Sequence, residues 1–191
     1  HAQLSNLPVI VRLLKRLNLV GPSDWPKGVR YINLNRKWPY QDASAQVVYA
    51  SHVLEHLCEK AAGRFLSESL RVLMRGGVVR LVVPDLQAHA RAYLASAHSG
   101  PDAARRFLWA CNLGLPDHRN WLHAWYDAWM GHPAMHKTMY DASVLRERLE
   151  SAGFVDVEVV TRNTSRRIHN LGNVEEGEGY AYSLYMEALK P

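Results

Sequence analysis

Short apolar runs alternate with longer amphipathic stretches along most of the chain. Five runs have the length and the β-branched content of buried strands, and they span residues 29–34, 46–50, 78–83, 155–161 and 181–189. In the intervals, apolar residues recur every three to four positions, which is the spacing of a helix with one buried face. Strands that alternate with helices in this way predict an α/β fold with a mainly parallel sheet and helices on both of its faces.

Start and stop signals delimit the predicted helices. A helix over residues 61–74 is followed by Gly76 and Gly77, which we expect to be its C-cap. Asp85 is expected to be the N-cap of a helix over residues 86–97. Two further helices are predicted over residues 102–113 and 141–152.

Residues 115–140 differ from the rest of the chain because they are rich in tryptophan and histidine. We predict that they form a lid inserted into a single domain over residues 1–191, of which residues 1–28 form a helix and a turn. Packing in the lid, a substrate pocket or a zinc site could explain its histidines, which are His118, His123, His132 and His136. Four tryptophans here and just before are more typical of a core than of a stacking platform: Trp109, Trp121, Trp125 and Trp129.

The composition is that of a globular protein. Of 191 residues, 48% are hydrophobic and 21% are charged, which excludes a disordered chain or a coiled coil. No apolar run approaches the length of a membrane helix. The net charge of +5 is too small and too dispersed to indicate a nucleic-acid-binding arm, and it suits an anionic small molecule equally well. Cys58 and Cys111 form no disulfide framework, so a cytoplasmic location is expected, and the oligomeric state stays open.

Polar residues follow three of the predicted strands. Asn33 comes at the end of the first, Ser51 and His52 follow the second, and Asp85 follows the third. In an open α/β sheet, ligands bind outside the carboxyl ends of the strands. These positions are therefore the first candidates for a functional site.

Three stretches carry a family resemblance: NLNRKWPYQDASAQVVYASHVLEHL, FLSESLRVLMRGGVVRLVVPDL and HKTMYDASVLRERLESAGFVDVEVV. In content and order they resemble class I S-adenosylmethionine-dependent methyltransferases of the type-11 branch, from Tyr31 to the end of the chain. The resemblance implies a Rossmann-like fold, S-adenosylmethionine as cofactor, and a small oxygen or nitrogen acceptor such as a sugar or a natural-product intermediate. It places the cofactor contacts at Asn33, Leu34, Ala50, Ser51, His52, Glu55 and His56.

One part of the family pattern is missing. The glycine-rich loop L-x-L-G-C-G and the acidic residue after it are absent, and Gly21 and Gly28 are the only glycines before Tyr31. Either the chain begins inside a longer protein, after the first strand of the sheet, or it has lost cofactor binding. The alternatives to an enzyme are therefore an inactive methyltransferase-like binding or scaffold protein and, on charge alone, a basic RNA-facing module.

Histidines are the candidates for catalysis, because methyl transfer to oxygen or nitrogen releases a proton. His136 matches the histidine of the family motif H-x-x-M-Y-D, and His52 lies at a strand end. Tyr140 and Asp85 are expected to orient them, although N-capping also explains Asp85. His52 and His56 alone do not make a metal site because no third ligand is evident in the sequence, so no metal is expected.

Overall fold

The computed structural model describes residues 30, 32–96, 100, 102–113, 121, 124–125, 128, 135–175 and 182–191. The chain divides into two compact units, His1–Pro39 and Tyr40–Pro191. The helix and turn predicted for residues 1–28 lie outside the described residues. So does most of the predicted lid, including His118, His123, His132 and Trp129.

The first unit is described around Asn33. The N–H of Asn35 donates to Asn33 Oδ1 over 2.9 Å, and the N–H of Arg36 donates to the Asn33 carbonyl over 3.0 Å. These bonds form a turn, and an asparagine side chain that bonds the backbone two residues on competes with strand pairing. The strand predicted over residues 29–34 is therefore wrong for its described residues, which are coil and turn.

The second unit holds a four-stranded sheet. Its strands are β1 (Ala45–Ser51), β2 (Leu73–Pro84), β3 (Val155–Val160) and β4 (Ser183–Leu189), in the order β1-β2-β4-β3. β1 pairs with β2 in parallel, whereas β4 is antiparallel to both β2 and β3. Three strands thus run in one direction with β4 inserted between two of them, and the predicted Rossmann-like α/β fold is confirmed.

Four helices accompany the sheet: α1 (Glu59–Val72), α2 (Leu86–Ser96), α3 (Asp102–Ala110) and α4 (Ala142–Ser151). The predicted cap at Asp85 is present, and Asp141, predicted as the first residue of its helix, is a second cap. Asp85 Oδ1 accepts from the N–H groups of Gln87 and Ala88, and Asp141 Oδ1 accepts from the N–H of Val144. These carboxylates satisfy N–H groups that would otherwise lack partners in the first turn of each helix.

The glycines after α1 do not cap it, which corrects the prediction. The helix ends at Val72, and Gly76 and Gly77 already belong to β2. The N–H of Gly76 donates to the Lys190 carbonyl, and the N–H of Lys190 donates to the Gly77 carbonyl, both over 2.9 Å. The backbone groups of Gly76 and Gly77 that a C-cap would use are therefore bonded to Lys190, which follows β4.

Gly77 is expected to tolerate no side chain. A Cβ at this position would lie 2.9 Å from the Met74 carbonyl oxygen and 3.1 Å from the Gln46 carbonyl oxygen. Gly77→Ala should lower the free energy of unfolding by about 1–3 kcal/mol in a urea titration, the usual cost of overpacking. Gly63→Ala is the control, since nothing lies within 4 Å of its Cβ, and it should raise that free energy by about 0.5–1 kcal/mol because alanine favours the helix. Equal effects of the two substitutions would contradict the close approach.

A charged cluster is buried in the sheet. Arg80 on β2 is 0% exposed and is paired in register with Glu187 on β4, which is also 0% exposed. Its Nε lies 2.6 Å from Glu175 Oε1, and its Nη1 lies 2.7 Å from Glu187 Oε1. Burial works against the charge, but the hydrogen bonds that Arg80 donates to Glu175 and Glu187 raise the pKa of Arg80 above its ordinary value. Arg80 therefore stays a cation inside the fold.

Aromatic exposure corrects a second prediction. Trp109, Trp121 and Trp125 are 85%, 74% and 62% exposed, so they do not belong to the core.

Cys111 is buried and Cys58 is exposed, and both are free thiols. Among the described residues, none of the helices combines the length and the apolar character needed to cross a membrane.

Candidate functional site

The chain turns sharply where β1 ends. His52 follows Ser51 with a φ of 52°, a left-handed conformation that is uncommon for a residue with a side chain. Its N–H donates to the Val82 carbonyl on β2 over 2.9 Å, which fixes the turn to the sheet. A single helical turn, Leu54–His56, comes next. Strained backbone of this kind is most common at functional sites.

This turn points Glu55 into the protein. Glu55 is 0% exposed, and neither of its carboxylate oxygens has a hydrogen-bond partner among the described residues. His52 Nδ1 lies 3.0 Å from Glu55 Oε1, and His56 Nε2 lies 4.0 Å from the same atom. A buried carboxylate without hydrogen bonds is costly unless a positive charge compensates it.

A distant segment brings a third histidine to this carboxylate. The N–H groups of Lys137 and Thr138 both donate to the Glu55 carbonyl, over 2.6 Å and 3.3 Å. His136, next to them, packs its ring edge-on to that of His56 with 4.9 Å between the ring centroids. The family motif H-x-x-M-Y-D and the strand-end motif, far apart in sequence, thus meet in one cluster.

The environment of His136 is set by burial. Its Nδ1 is buried without a hydrogen-bond partner among the described residues. Burial lowers the pKa of His136 below its ordinary value, and the neighbouring His56 and His52 act in the same direction, against the opposing effect of the Glu55 carboxylate. His136 is therefore neutral at physiological pH, and a neutral imidazole can accept a proton or bind a metal.

A cleft of about 400 Å³ opens beside the cluster, at the carboxyl ends of β1 and β2. His52 and His136 both line it. The other lining residues come from β2, α2, α3 and the start of β4: Pro84, His89, Trp109, Ala110, Asn112, Tyr182 and Ser183. The cleft therefore offers three imidazoles, an amide and a serine hydroxyl next to aromatic rings.

The remaining predicted site residues lie elsewhere. Asp85 caps α2, and its backbone forms a bridge with Tyr140, which is buried. Burial raises the pKa of Tyr140 above its ordinary value, so its hydroxyl stays protonated. Asn33 and Leu34 belong to the first unit, where Asn33 closes the turn described above. Neither Asp85 nor Tyr140 is among the described residues that line the cleft.

The sequence analysis missed several lining residues. Ser183 is one: its Oγ lies 3.3 Å from His52 Nε2. Tyr182 and Ser183 come at the start of β4, and the antiparallel insertion of β4 brings that end to the carboxyl ends of β1 and β2. Polar residues at the amino end of β4 would have indicated these lining residues. The sequence did not show that β4 lies next to β2.

Residues 13–81 match a family described as "Methyltransferase domain". The match covers β1 and most of β2, and it confirms the resemblance that the sequence motifs carry. No curated protein matches the sequence.

Solved structures give a more distant likeness. A SAM-dependent methyltransferase from Thermotoga maritima, described as a possible histamine N-methyltransferase, is 14% identical, with 84% of this chain and 62% of that chain covered and a TM-score of 0.43. Human N-acetylserotonin methyltransferase in complex with SAM is 13% identical, with 84% and 33% covered and a TM-score of 0.45. A SAM-dependent methyltransferase from Archaeoglobus fulgidus is 16% identical, with 79% and 62% covered and a TM-score of 0.41. This chain thus spans less than two thirds of the length of each of these three proteins.

Proposed function

With residues 13–81 matching a methyltransferase domain, we propose that the chain transfers a methyl group from S-adenosylmethionine to an oxygen or nitrogen atom of a small molecule. The observation that carries this proposal is the cleft at the carboxyl ends of β1 and β2, with three histidines, His52, His89 and His136, on its wall. Ligands bind at this edge of α/β sheets, and an acceptor that loses a proton needs a base there.

The residues at the end of β1 fit part of this cofactor. Ala50 is buried, Ser51 is half-buried, and the left-handed turn at His52 redirects the backbone away from the sheet. We propose that these three residues approach the methionine part of the cofactor, with Glu55 and His56 behind them. For Asn33 and Leu34, in the first unit, contact with the cofactor is proposed from the family resemblance alone. S-adenosylmethionine supplies an electrophilic methyl group on a sulfonium.

We propose that His52 takes the proton that the methyl acceptor loses. Its Nδ1 lies 3.0 Å from the Glu55 carboxylate, a contact that orients the ring. Its Nε2 lies 3.3 Å from Ser183 Oγ, and both residues line the cleft. The buried carboxylate thus holds the ring so that the other nitrogen faces the acceptor. We propose positioning roles for Asp85 and Tyr140, through the backbone bridge that joins them beside the cleft.

The cleft wall suits an acceptor that has a ring and polar groups. Trp109 and Tyr182 supply aromatic faces, and Asn112 and Ser183 supply an amide and a hydroxyl. We therefore propose a sugar or an aromatic natural-product intermediate as the acceptor class. Because both described cysteines are free thiols, we place the activity in the cytoplasm.

Cofactor binding is tested by calorimetric titration of the protein with S-adenosylmethionine and S-adenosylhomocysteine. We expect saturable heat with both. Ser51→Leu should weaken binding at least tenfold because it fills the end of β1, whereas Ser67→Leu on the exposed side of α1 should leave binding unchanged. Absence of heat at high protein concentration would refute the cofactor assignment.

One rival is a methyltransferase-like binding protein without catalysis. Such a protein would keep the cleft and bind the acceptor class without the cofactor. The titration described above distinguishes the enzyme from the binding protein, since only the enzyme must bind S-adenosylmethionine.

A further inference from the structure

We propose that Glu55, His56 and His136 bind a divalent transition-metal ion, of which Zn²⁺ is the representative. One ligand atom from each of these side chains lies within 4.8 Å of the others. The sequence pairs only Glu55 with His56, and the fold adds His136 as the third ligand. Binding of the ion does not depend on methyl transfer.

Three candidate ligand atoms are buried without hydrogen-bond partners among the described residues. Both oxygens of the Glu55 carboxylate and Nδ1 of His136 are buried without a hydrogen-bond partner among the described residues. A buried anion that accepts no hydrogen bond destabilises the fold unless a cation is near. The nearest described nitrogen of a neighbouring side chain, His52 Nδ1, lies 3.0 Å from Oε1 without forming a hydrogen bond to the carboxylate. A divalent cation between the three side chains would satisfy all of these atoms.

The outer nitrogens of the two histidines are already engaged. His56 Nδ1 lies 3.2 Å from the Met135 carbonyl oxygen, and His136 is hydrogen-bonded to the backbone of Cys111. Metal-binding histidines almost always use one ring nitrogen for such a bond, which fixes the ring and directs the other nitrogen at the ion. His56 Nε2 and His136 Nδ1 remain as ligands. Of these, His56 Nε2 lies 4.0 Å from Glu55 Oε1.

The donor set selects the class of ion. Two imidazoles and one carboxylate suit Zn²⁺, Fe²⁺ or Co²⁺ and do not suit Ca²⁺ or Mg²⁺, which prefer oxygen ligands. Zinc–ligand bonds of about 2.1 Å place tetrahedral donors about 3.4 Å apart. The side chains must therefore approach one another by roughly 1 Å when the ion binds.

The site would reach the cleft through His136. His136 lines the cleft, whereas Glu55 and His56 are not among its described lining residues. Three protein ligands leave a fourth position, as in catalytic zinc sites. That position would face the acceptor, and His52 would remain for proton transfer.

The test is a titration of the apo protein, without an affinity tag, with ZnCl₂ and with CoCl₂. All proteins carry Cys58→Ser, which removes the exposed thiol as a competing ligand. We expect one equivalent of Zn²⁺ and a visible Co²⁺ spectrum with the intensity of a four- or five-coordinate site. Glu55→Gln, His56→Ala and His136→Ala should each weaken Zn²⁺ binding by about 10–100-fold or more. His169→Ala, an exposed histidine outside the cluster, is the matched control and should bind as the parent does.

Two results would overturn the proposal: a parent protein that binds no Zn²⁺, or cluster variants that bind as tightly as His169→Ala. Glutamine has the same shape as glutamate, and the Glu55 carboxylate accepts no hydrogen bond that the substitution would break. The Glu55→Gln variant should therefore fold, and circular dichroism checks its folding. Because the readout is ion binding, failure here leaves the methyltransferase proposal intact, and failure to bind S-adenosylmethionine leaves this one intact.

Discussion

Replacing Arg80 by methionine is expected to lower the free energy of unfolding by about 3–5 kcal/mol. The substitution leaves the carboxylates of Glu175 and Glu187, 2% and 0% exposed, without their cation. All five N–H donors of the guanidinium are used, because Thr161 and Thr164 accept from Nη2 and Nη1 through their carbonyls. The cost is large because both the ion pairs and these backbone bonds are lost. Urea denaturation measures it.

Arg105→Met is the matched control for this prediction. Arg105 is 83% exposed and forms an ion pair with Asp102 over 3.3 Å. Exposed pairs of this kind contribute about 0–1 kcal/mol, so the control should lose little stability. Arg80→Lys should be intermediate, since a lysine keeps the charge but cannot bond both oxygens of Glu175 as the guanidinium does, over 2.6 and 2.9 Å. Equal stability of Arg80→Met and Arg105→Met would contradict the role of the buried cluster.

Replacing His52 by alanine is expected to lower the rate of methyl transfer by about 10²–10⁴-fold, the usual contribution of a general base. The reason is the pair it forms with Glu55, 3.0 Å from Nδ1, which leaves Nε2 to take the acceptor proton. Transfer of labelled methyl from S-adenosylmethionine to a panel of sugars and phenols measures the rate. Added imidazole should restore part of the activity, because the cavity left by the side chain lies on the cleft.

His169→Ala is again the control, and it should retain the parent rate. A His52→Ala variant that folds, binds the cofactor and keeps the parent rate would remove His52 from the mechanism. A variant that loses activity without rescue by imidazole would point to a structural role for the turn at the end of β1.

Local sequence signals predicted the elements well where the responsible contacts are local. The carboxylates of Asp85 and Asp141 cap their helices because the N–H groups that they bond are two or three residues away. The β-branched runs of β1 and β3 form strands at the predicted places for the same reason. Gly76 and Gly77 were misread because their partner, Lys190, lies at the other end of the chain.

The site was predictable only in part, for a similar reason. The sequence indicated the motif around Glu55 and the motif at His136 as separate candidates. Their contact depends on hydrogen bonds from Lys137 and Thr138 to the Glu55 carbonyl, which no sequence pattern indicates. Arg80 and Glu187 are a case where the signal was present. Each is the one charge in an apolar run, VVRLVVP and SLYMEAL, and opposite charges on two buried strands indicate that the strands pair.

The insertion of β4 between β2 and β3 has a consequence for biosynthesis. About 100 residues are translated after β2 before its neighbour β4 is complete, which takes roughly 5–20 s at usual elongation rates. During that time the apolar segment VVRLVVP has an open edge that can pair with another nascent chain. Its single arginine, buried in the native sheet, is a charge that opposes such association, so Arg80 also protects the unfinished protein from aggregation.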